Sequence, residues 1–263
     1  MRNEPSVLEA SLRKGTFDEV SLGFSKQQVM AEADRCLNCK SQPCVTSCPV
    51  HVDIPSFLSQ LKQDKVNDAL ATILKTNPLP GVCGRVCPQE SQCEAACVLT
   101  KANKAINIGQ CERYVADHGT WVSVKKEAIN KKVAIVGAGP AGIACAYTLS
   151  NAGISVDIYD SWDQMGGVLR YGIPDFRLPK AVVDLEIDRL MNELITFKKN
   201  TVVGKTITLE QLKQQHVDAI FIASGAGLPE FVEMEHSDAI GVFSANEFLT
   251  RINTFSAHLD NQI

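Results

Sequence analysis

No stretch of this sequence approaches the ~18 consecutive apolar residues that a membrane-spanning helix needs. The opening MRNEPSVLEASLRKG has no apolar segment of the kind a secretion signal carries. Both absences point to a cytoplasmic chain and away from a membrane. There is also no basic block: the net charge is −4 with both signs spread along the chain, so charge announces neither nucleic acid nor an anionic lipid surface. Histidines are few, five in all, and none pairs with a cysteine motif at zinc-finger spacing. Internal repeats at solenoid periods and low-complexity tracts are missing as well. What remains is 263 residues, 45% of them hydrophobic, enough for one or two domains with real cores.

The chain is rich in cysteine instead. It has ten, and nine of them, Cys36, Cys39, Cys44, Cys48, Cys83, Cys87, Cys93, Cys97 and Cys111, precede residue 112, with Cys145 alone beyond. In a reducing compartment such clustering signals metal or redox chemistry more than structural disulfides. The stretch CLNCKSQPCVTSCPV runs CxxC, four residues to Cys44, three to Cys48, then Pro49. Close thiolate spacings let a loop wrap an iron–sulfur cluster, and a closing CP belongs to the bacterial ferredoxin signature, in which the middle gap is two residues and not four. A second set, CGRVCPQESQCEAAC, supplies Cys87 before Pro88, then Cys93 and Cys97, with Cys83 extra. Two such sets point to two four-iron clusters. Structural zinc is the rival reading and is disfavoured, because only one CxxC exists.

Around the thiols, helix is expected. Ser25 is placed to cap a helix ending near Cys36, and DIPSFLSQLKQ and KVNDALATILKTNP read as two short helices, the second stopped by Pro78. These helices look too small for a self-sufficient core, so bound clusters are expected to hold this part together. The predicted organisation is a helical domain over 1–118, a polar linker over 119–131 and a different pattern over 132–263.

KKVAIVGAGPAGIACAYTLSNAGISVDIYD is a β-branched strand, a glycine-rich turn, a helix and a second strand ending in an acid. In the GxGxxG reading, Gly137 allows the tight turn, Gly139 admits a pyrophosphate to the backbone, and Gly142 lets helix and strand pack, with Pro140 and Ala141 opening the helix. Asp160 is placed to bond ribose hydroxyls. The motif alone does not choose between FAD and NAD(P). MGGVLRYGIPDFRLP, with Gly166, Gly167, Arg170, Tyr171 and Arg177, has the composition of a segment lying against a flavin ring. LPKAVVDLEIDRLMNEL reads as an amphipathic helix with Val183, Leu190 and Leu194 inward, and DAIFIASGAG as a buried strand whose small end, Ser224-Gly225-Ala226, lets backbone or cofactor come close. SANEFLTRI carries a capping box at Ser244 and Glu247.

Together, AEADRCLNCKSQPCVTSCPV, GRVCPQESQCEAAC, INIGQCERYVAD, GAGPAG, GGVLRYGIPDFRLPK and SANEFLTR resemble the small chain of NADPH-dependent glutamate synthase. The wider group includes related NADPH:ferredoxin oxidoreductase subunits and the N-terminal half of dihydropyrimidine dehydrogenase. The resemblance implies a helical two-[4Fe-4S] domain followed by a Rossmann-like FAD-binding domain, an α plus α/β architecture. It further implies electron flow from NADPH to FAD and through the clusters to a large catalytic subunit or a ferredoxin-type partner. Within that family's pattern, Cys36, Cys39, Cys44 and Cys97 share one cluster, while Cys48, Cys87 and Cys93 share the other. The eighth ligand falls at Glu112, where dihydropyrimidine dehydrogenase has a glutamine; Glu112 as a solvated helix residue and adjacent Cys111 as the ligand stay open. Cys83 and Cys145 carry no assigned role and are expected to behave as small buried hydrophobes.

One departure accompanies the match. Only one GxGxxG is present, and GAGLPEF lacks a third glycine. The NADPH domain and the last piece of the FAD domain are therefore expected to be missing. No general base or nucleophile is required of the protein, since cofactors carry such chemistry. Two rivals accompany an electron-transfer flavoprotein subunit: a truncated, cluster-bearing interaction module, and an electron-input subunit whose acceptor is a pyrimidine or ferredoxin partner.

Overall fold

The computed structural model describes residues 2–122, 126–230 and 232–255. Contacts divide the chain into two compact units, Met1–Ser123 with Phe176–Val182, and Val124–Asp175 with Val183–Ile263. Part of the expected linker, residues 123–125, and the end of the chain, 256–263, lie outside the described residues.

The first unit is helical. A short antiparallel pair, β1 (Ser6–Val7) and β2 (Ser21–Gly23), precedes α1 (Lys26–Asp34). The α1 N-terminus carries a full capping box: Ser25 Oγ accepts the Gln28 N–H at 3.3 Å and Gln28 Oε1 accepts the Ser25 N–H at 2.9 Å. Cys36 follows just past the helix end, its N–H on the Ala33 carbonyl. Then come α2 (Pro43–Thr46), α3 (Ile54–Leu61), α4 (Val66–Ile73), α5 (Pro80–Val86), 3₁₀ turns at Gln89–Ser91 and Val98–Ala102, and α6 (Ile108–His118). Pro43, Pro55 and Pro80 sit in first turns, where a missing N–H costs nothing. Helix α4 ends before the expected stop at Pro78. The proline disfavours helical backbone at Asn77, and the Asn77 N–H instead closes back on the Ile73 carbonyl at 2.9 Å.

The helices bury a contiguous core, with Val29, Phe57, Leu58, Leu70, Ile73 and Val115 nearly or wholly out of solvent, and Cys36, Cys44, Cys48 and Cys97 pack against it. Helices α5 and α6 cross at Gly84, where a Cβ would stand 2.5 Å from the Arg113 nitrogen. Two arginines are buried at that crossing. Arg85 bonds Glu19 and Asp117 at 2.8 and 2.9 Å, and Arg113 bonds Glu19 at 3.0 Å. Buried charges are tolerated because they are paired and hydrogen-bonded.

The second unit is α/β. Its parallel sheet has the order β5 (Ile195–Lys198), β4 (Ser155–Tyr159), β3 (Lys132–Val136), β6 (Ala219–Ile222). Helix α7 (Pro140–Asn151) joins β3 to β4, and α8 (Val168–Tyr171), α9 (Lys180–Leu190), α10 (Leu209–Gln214) and α11 (Ala245–Phe255) follow in the chain. Ala134, Ile135, Val156 and Ile158 are buried by packing on both faces of a parallel sheet. Ser244 caps α11 as expected, accepting the Glu247 N–H.

Two expectations need correction. The DAIFIASGAG strand, β6, is not buried: among the described residues it pairs on one side only, with β3, and leaves Phe221 and Ile222 exposed. Leu194 is not on the amphipathic helix, which ends at Leu190; its carbonyl instead receives the Val156 N–H at the start of the β4–β5 pairing. Val183 and Leu190 do point inward.

Candidate functional site

Four of the predicted thiols come together. Cys36, Cys39, Cys44 and Cys97 line one cavity whose remaining wall is largely apolar, including Ile54, Leu58, Leu99 and Ile108. They arrive from separate elements: Cys36 after α1, Cys39 from the turn closed by the Gln42 N–H, Cys44 from α2, and Cys97 from the cap of the second 3₁₀ turn. Burial raises the Cys36 thiol, with the neighbouring Cys39 and Cys97 adding to it, and pushes Cys44 up to about 11. Cys36 and Cys44 therefore favour the protonated form, and binding a cation through them releases protons.

The other set lies around Cys93. Burial raises its thiol first, and the charges of Glu94, Glu112 and Cys48 add to the shift. Cys87 follows α5 directly, and Cys83, one turn earlier on α5, hydrogen-bonds to it; that bond lowers the Cys87 thiol and raises that of Cys83. Glu112, on α6, is buried and receives the Asn77 Nδ2 at 2.7 Å. Cys111, the alternative eighth ligand, is wholly buried in the core, and the charges that reach it belong to Glu32, Glu94, Cys36 and, in the opposite sense, Arg35. Glu112, in contrast, acts on Cys93 and Cys83.

The donor chemistry fits inorganic clusters. Soft thiolates select iron–sulfur centres, and the wall of the first cavity around its four cysteines is largely apolar.

Composition alone did not reveal the charged frame beside these thiols. Glu32, fully buried, ion-pairs with Arg35 and accepts N–H groups of Asn3 and Asn107, the latter at 2.8 Å. Glu94, next to Cys93, pairs with Arg2 at 2.7 Å and accepts the Gly109 N–H. An acid four residues before or one residue after a cluster cysteine is the sequence trace these carboxylates leave.

In the second unit the glycine-rich turn follows β3. Gly137 has φ +108°, and a Cβ there would stand 2.2 Å from the Ala223 carbonyl oxygen. Of the segment Ser224–Ala226 expected to come close, Ser224 does, its nitrogen 3.1 Å from that Cβ position, while nothing lies within 4 Å of a Cβ placed on Gly225. On Gly142 a Cβ would overlap the Gly137 carbonyl at 1.9 Å, so α7 packs directly on the turn. Gly139 caps α7, Pro140 is its first residue, Ala141 is exposed, and no side chain caps the end. Open N–H groups at a helix N-terminus suit a pyrophosphate. The Gly166–Gly167 loop folds over this turn: the Gly166 N–H donates to the Ala138 carbonyl, and Gly167 comes so near Gly139 that a Cβ would lie 2.7 Å from its Cα.

Two predicted cofactor contacts are engaged inside the protein. Asp160 follows β4, but its Oδ2 accepts the Ala138 N–H at 2.6 Å and so fastens the glycine turn. Arg170 donates to the Met165 carbonyl at 2.8 Å and ion-pairs with Asp184, tying the glycine loop to α9. Sequence reading did not anticipate the stacking of Trp162 on Tyr171, with ring centroids 4.2 Å apart, beside that loop.

A helical unit bearing two thiol sets is thus joined in one chain to a parallel sheet with a glycine-rich first turn, an α plus α/β build. Residues 13–123 match the family model described as dihydropyrimidine dehydrogenase domain II, 4Fe-4S cluster, and residues 135–188 that of an NAD(P)-binding Rossmann-like domain. The chain is similar to the glutamate synthase [NADPH] small chain of Escherichia coli (strain K12), 38% identical over 253 residues that cover 94% of this chain and 53% of that one. It is also 40% identical over 241 residues to the NAD-dependent dihydropyrimidine dehydrogenase subunit PreT of the same strain, covering 89% and 57%. The putative oxidoreductase AegA of that strain is 37% identical over 254 residues, covering 94% and 38%. The chain thus spans about half the length, or less, of these curated relatives. Among the described residues no helix is long and apolar enough to cross a membrane.

Proposed function

We propose that this chain is the cluster-bearing, flavin-binding part of an NAD(P)H-dependent iron–sulfur oxidoreductase subunit, feeding electrons to a large catalytic partner as glutamate synthase small chains do. The observation that carries the reading is the gathering of Cys36, Cys39, Cys44 and Cys97 on one cavity. On this reading those four hold one [4Fe-4S] cluster, and Cys48, Cys87, Cys93 and Glu112 hold the other. Gly137, Gly139, Pro140, Ala141, Gly142, Asp160, Gly166, Gly167, Arg170 and Gly225 form the FAD side, and the domains run over 1–118 and 132–263. Bound there, the flavin supplies exchange between a two-electron hydride and single electrons, and the clusters supply one-electron carriage.

The protein's own part is holding and shielding. The thiols give up protons and become ligands, the apolar wall around Ile54 and Leu58 keeps water out, and the α7 N-terminus presents N–H groups to a pyrophosphate. A second reading, electron input to a pyrimidine-reducing partner, is favoured by the 40% identity to PreT. The same chemistry on this chain serves either partner.

The test is anaerobic reconstitution of the chain with iron, sulfide and FAD. A flavin band near ~450 nm on a broad brown absorption is expected. Cys44→Ser and Cys48→Ser are each expected to remove a different electron paramagnetic resonance signal. A colourless zinc protein, or loss of one and the same signal in both variants, overturns the reading.

A further inference from the structure

We propose that Asn77 is the positioning residue of the second cluster site, acting on Glu112 directly and on Cys87 through Cys83. The inference rests on the reading of Cys48, Cys87, Cys93 and Glu112 as that site. Asn77 is buried in the short connection between α4 and α5, with 4% of its surface exposed. Four bonds hold it. Its backbone N–H closes α4 on Ile73, its Oδ1 accepts the Leu79 N–H at 3.0 Å, its Nδ2 donates to Glu112 Oε1 at 2.7 Å, and the Cys83 Sγ lies 3.6 Å from its Oδ1.

The Leu79 bond decides which way the amide faces. Only the carbonyl end accepts a backbone N–H, so the NH₂ end is the one turned to Glu112. A donated N–H on a carboxylate oxygen is charge-assisted and fixes the direction in which that carboxylate is presented. Cys83 links the same amide to the other ligand. Its thiol has one proton, within reach of both the Asn77 Oδ1 and the Cys87 sulfur. A thiolate is a better acceptor than an amide carbonyl, so once Cys87 is a ligand the Cys83 S–H turns to it. One buried side chain thereby spans from the carboxylate ligand to the donor behind a thiolate ligand.

The need for such a device follows from ligand chemistry. A carboxylate is a hard donor on a soft iron–sulfide centre, so its hold depends on being presented in one orientation. Partners that orient a ligand are worth about 10–100-fold in metal affinity.

The experiment uses the full chain, reconstituted anaerobically with ferrous iron and sulfide and read by iron content and by potentiometric electron paramagnetic resonance. Asn77→Asp keeps the shape but turns the donor into a charge facing Glu112. It is expected to lose one signal and about half the iron of a two-cluster protein, leaving the signal that depends on Cys36 at its parent potential. Cys83→Ala is expected to keep its iron and to lower the midpoint potential of that same cluster only, since an S–H donor to a ligand sulfur favours the reduced form. Cys83→Ser, which keeps a donor, is expected to restore most of the shift. With two signals in the parent and one lost in Glu112→Ala, a silent Asn77→Asp or an unshifted Cys83→Ala overturns the proposal alone. If the parent holds fewer than two clusters, or Glu112→Ala keeps both signals unchanged, the ligand reading falls and the proposal falls with it.

Discussion

Replacing Gly84 by alanine tests the packing that carries Glu112. A Cβ on Gly84 would stand 2.5, 2.7 and 2.8 Å from the nitrogen, Cα and Cβ of Arg113, all closer than a side-chain carbon comes in practice. Because these are mainly backbone atoms, no rotamer change relieves them, and α5 and α6 must part by about 1 Å in an interior with little free space. Overpacking of this kind costs about 1–3 kcal/mol, and contact with three atoms at once places Gly84→Ala at the upper end. The gain in helix propensity offsets about 0.5–1 kcal/mol of that. The net expectation is a loss of about 2 kcal/mol, a fall of about 1 M in the urea midpoint of the metal-free chain. Gly227→Ala is the control: nothing lies within 4 Å of its Cβ position and its φ is not in the left-handed region, so a change within about ±0.5 kcal/mol is expected. Since Arg113 directly follows Glu112 on α6, Gly84→Ala should also weaken iron retention at the second cluster site more than at the first. A urea midpoint for Gly84→Ala equal to that of Gly227→Ala would refute the claim that this crossing is held at contact distance.

Two more perturbations follow from buried polar groups. Arg85→Met removes the cation that bonds both Glu19 and Asp117; although Arg113 still pairs with them, a stability loss of about 3 kcal/mol is expected by chemical denaturation, and a loss under 1 kcal/mol would show the network to be solvated. Tyr159, inside the second unit, has its phenol pushed up to about 12, first by burial and then by Asp157, against an ordinary value of 10. A group whose pKa is raised by folding stabilises the fold fully below its unfolded value and loses that contribution as pH rises. Stability should therefore fall between pH 10 and about 12, and Tyr159→Phe should flatten that part of the profile; an unchanged slope in the variant would contradict the assignment.

The local features of this molecule were open to reading because they depend on neighbours in the chain. Ser25 caps α1 and Ser244 caps α11 by bonds to residues three positions on, and the β3–turn–α7 unit is set by a strand, three glycines and a proline in one short segment. The grouping of Cys36, Cys39 and Cys44 with Cys97 was legible through the family resemblance, not through spacing. What misled was solvent exposure. DAIFIASGAG is apolar enough to pass for a buried strand, yet among the described residues β6 is the edge of its sheet, and only strand order reveals that. Likewise Asp160 has the expected place after β4, but whether its oxygens face outward or back to Ala138 depends on the fold of the turn.

The sequence by itself determined the division of labour: cysteines in the first half, a glycine-rich turn in the second, and the caps and prolines that start the helices between them. These are short-range matters, governed by backbone sterics and by bonds spanning a few residues. Tertiary structure alone decided which acid stands beside which thiol. Glu112 meets Asn77 across 35 positions, Glu94 meets Arg2 across 92, and Arg85 meets Glu19 across 66. Such pairs depend on how α5 packs on α6 and how the N-terminal segment returns over the helices, and nothing in a local window encodes them. Burial then gives each of them its energetic weight, because a charge removed from water must find its partner wherever the packing has put it.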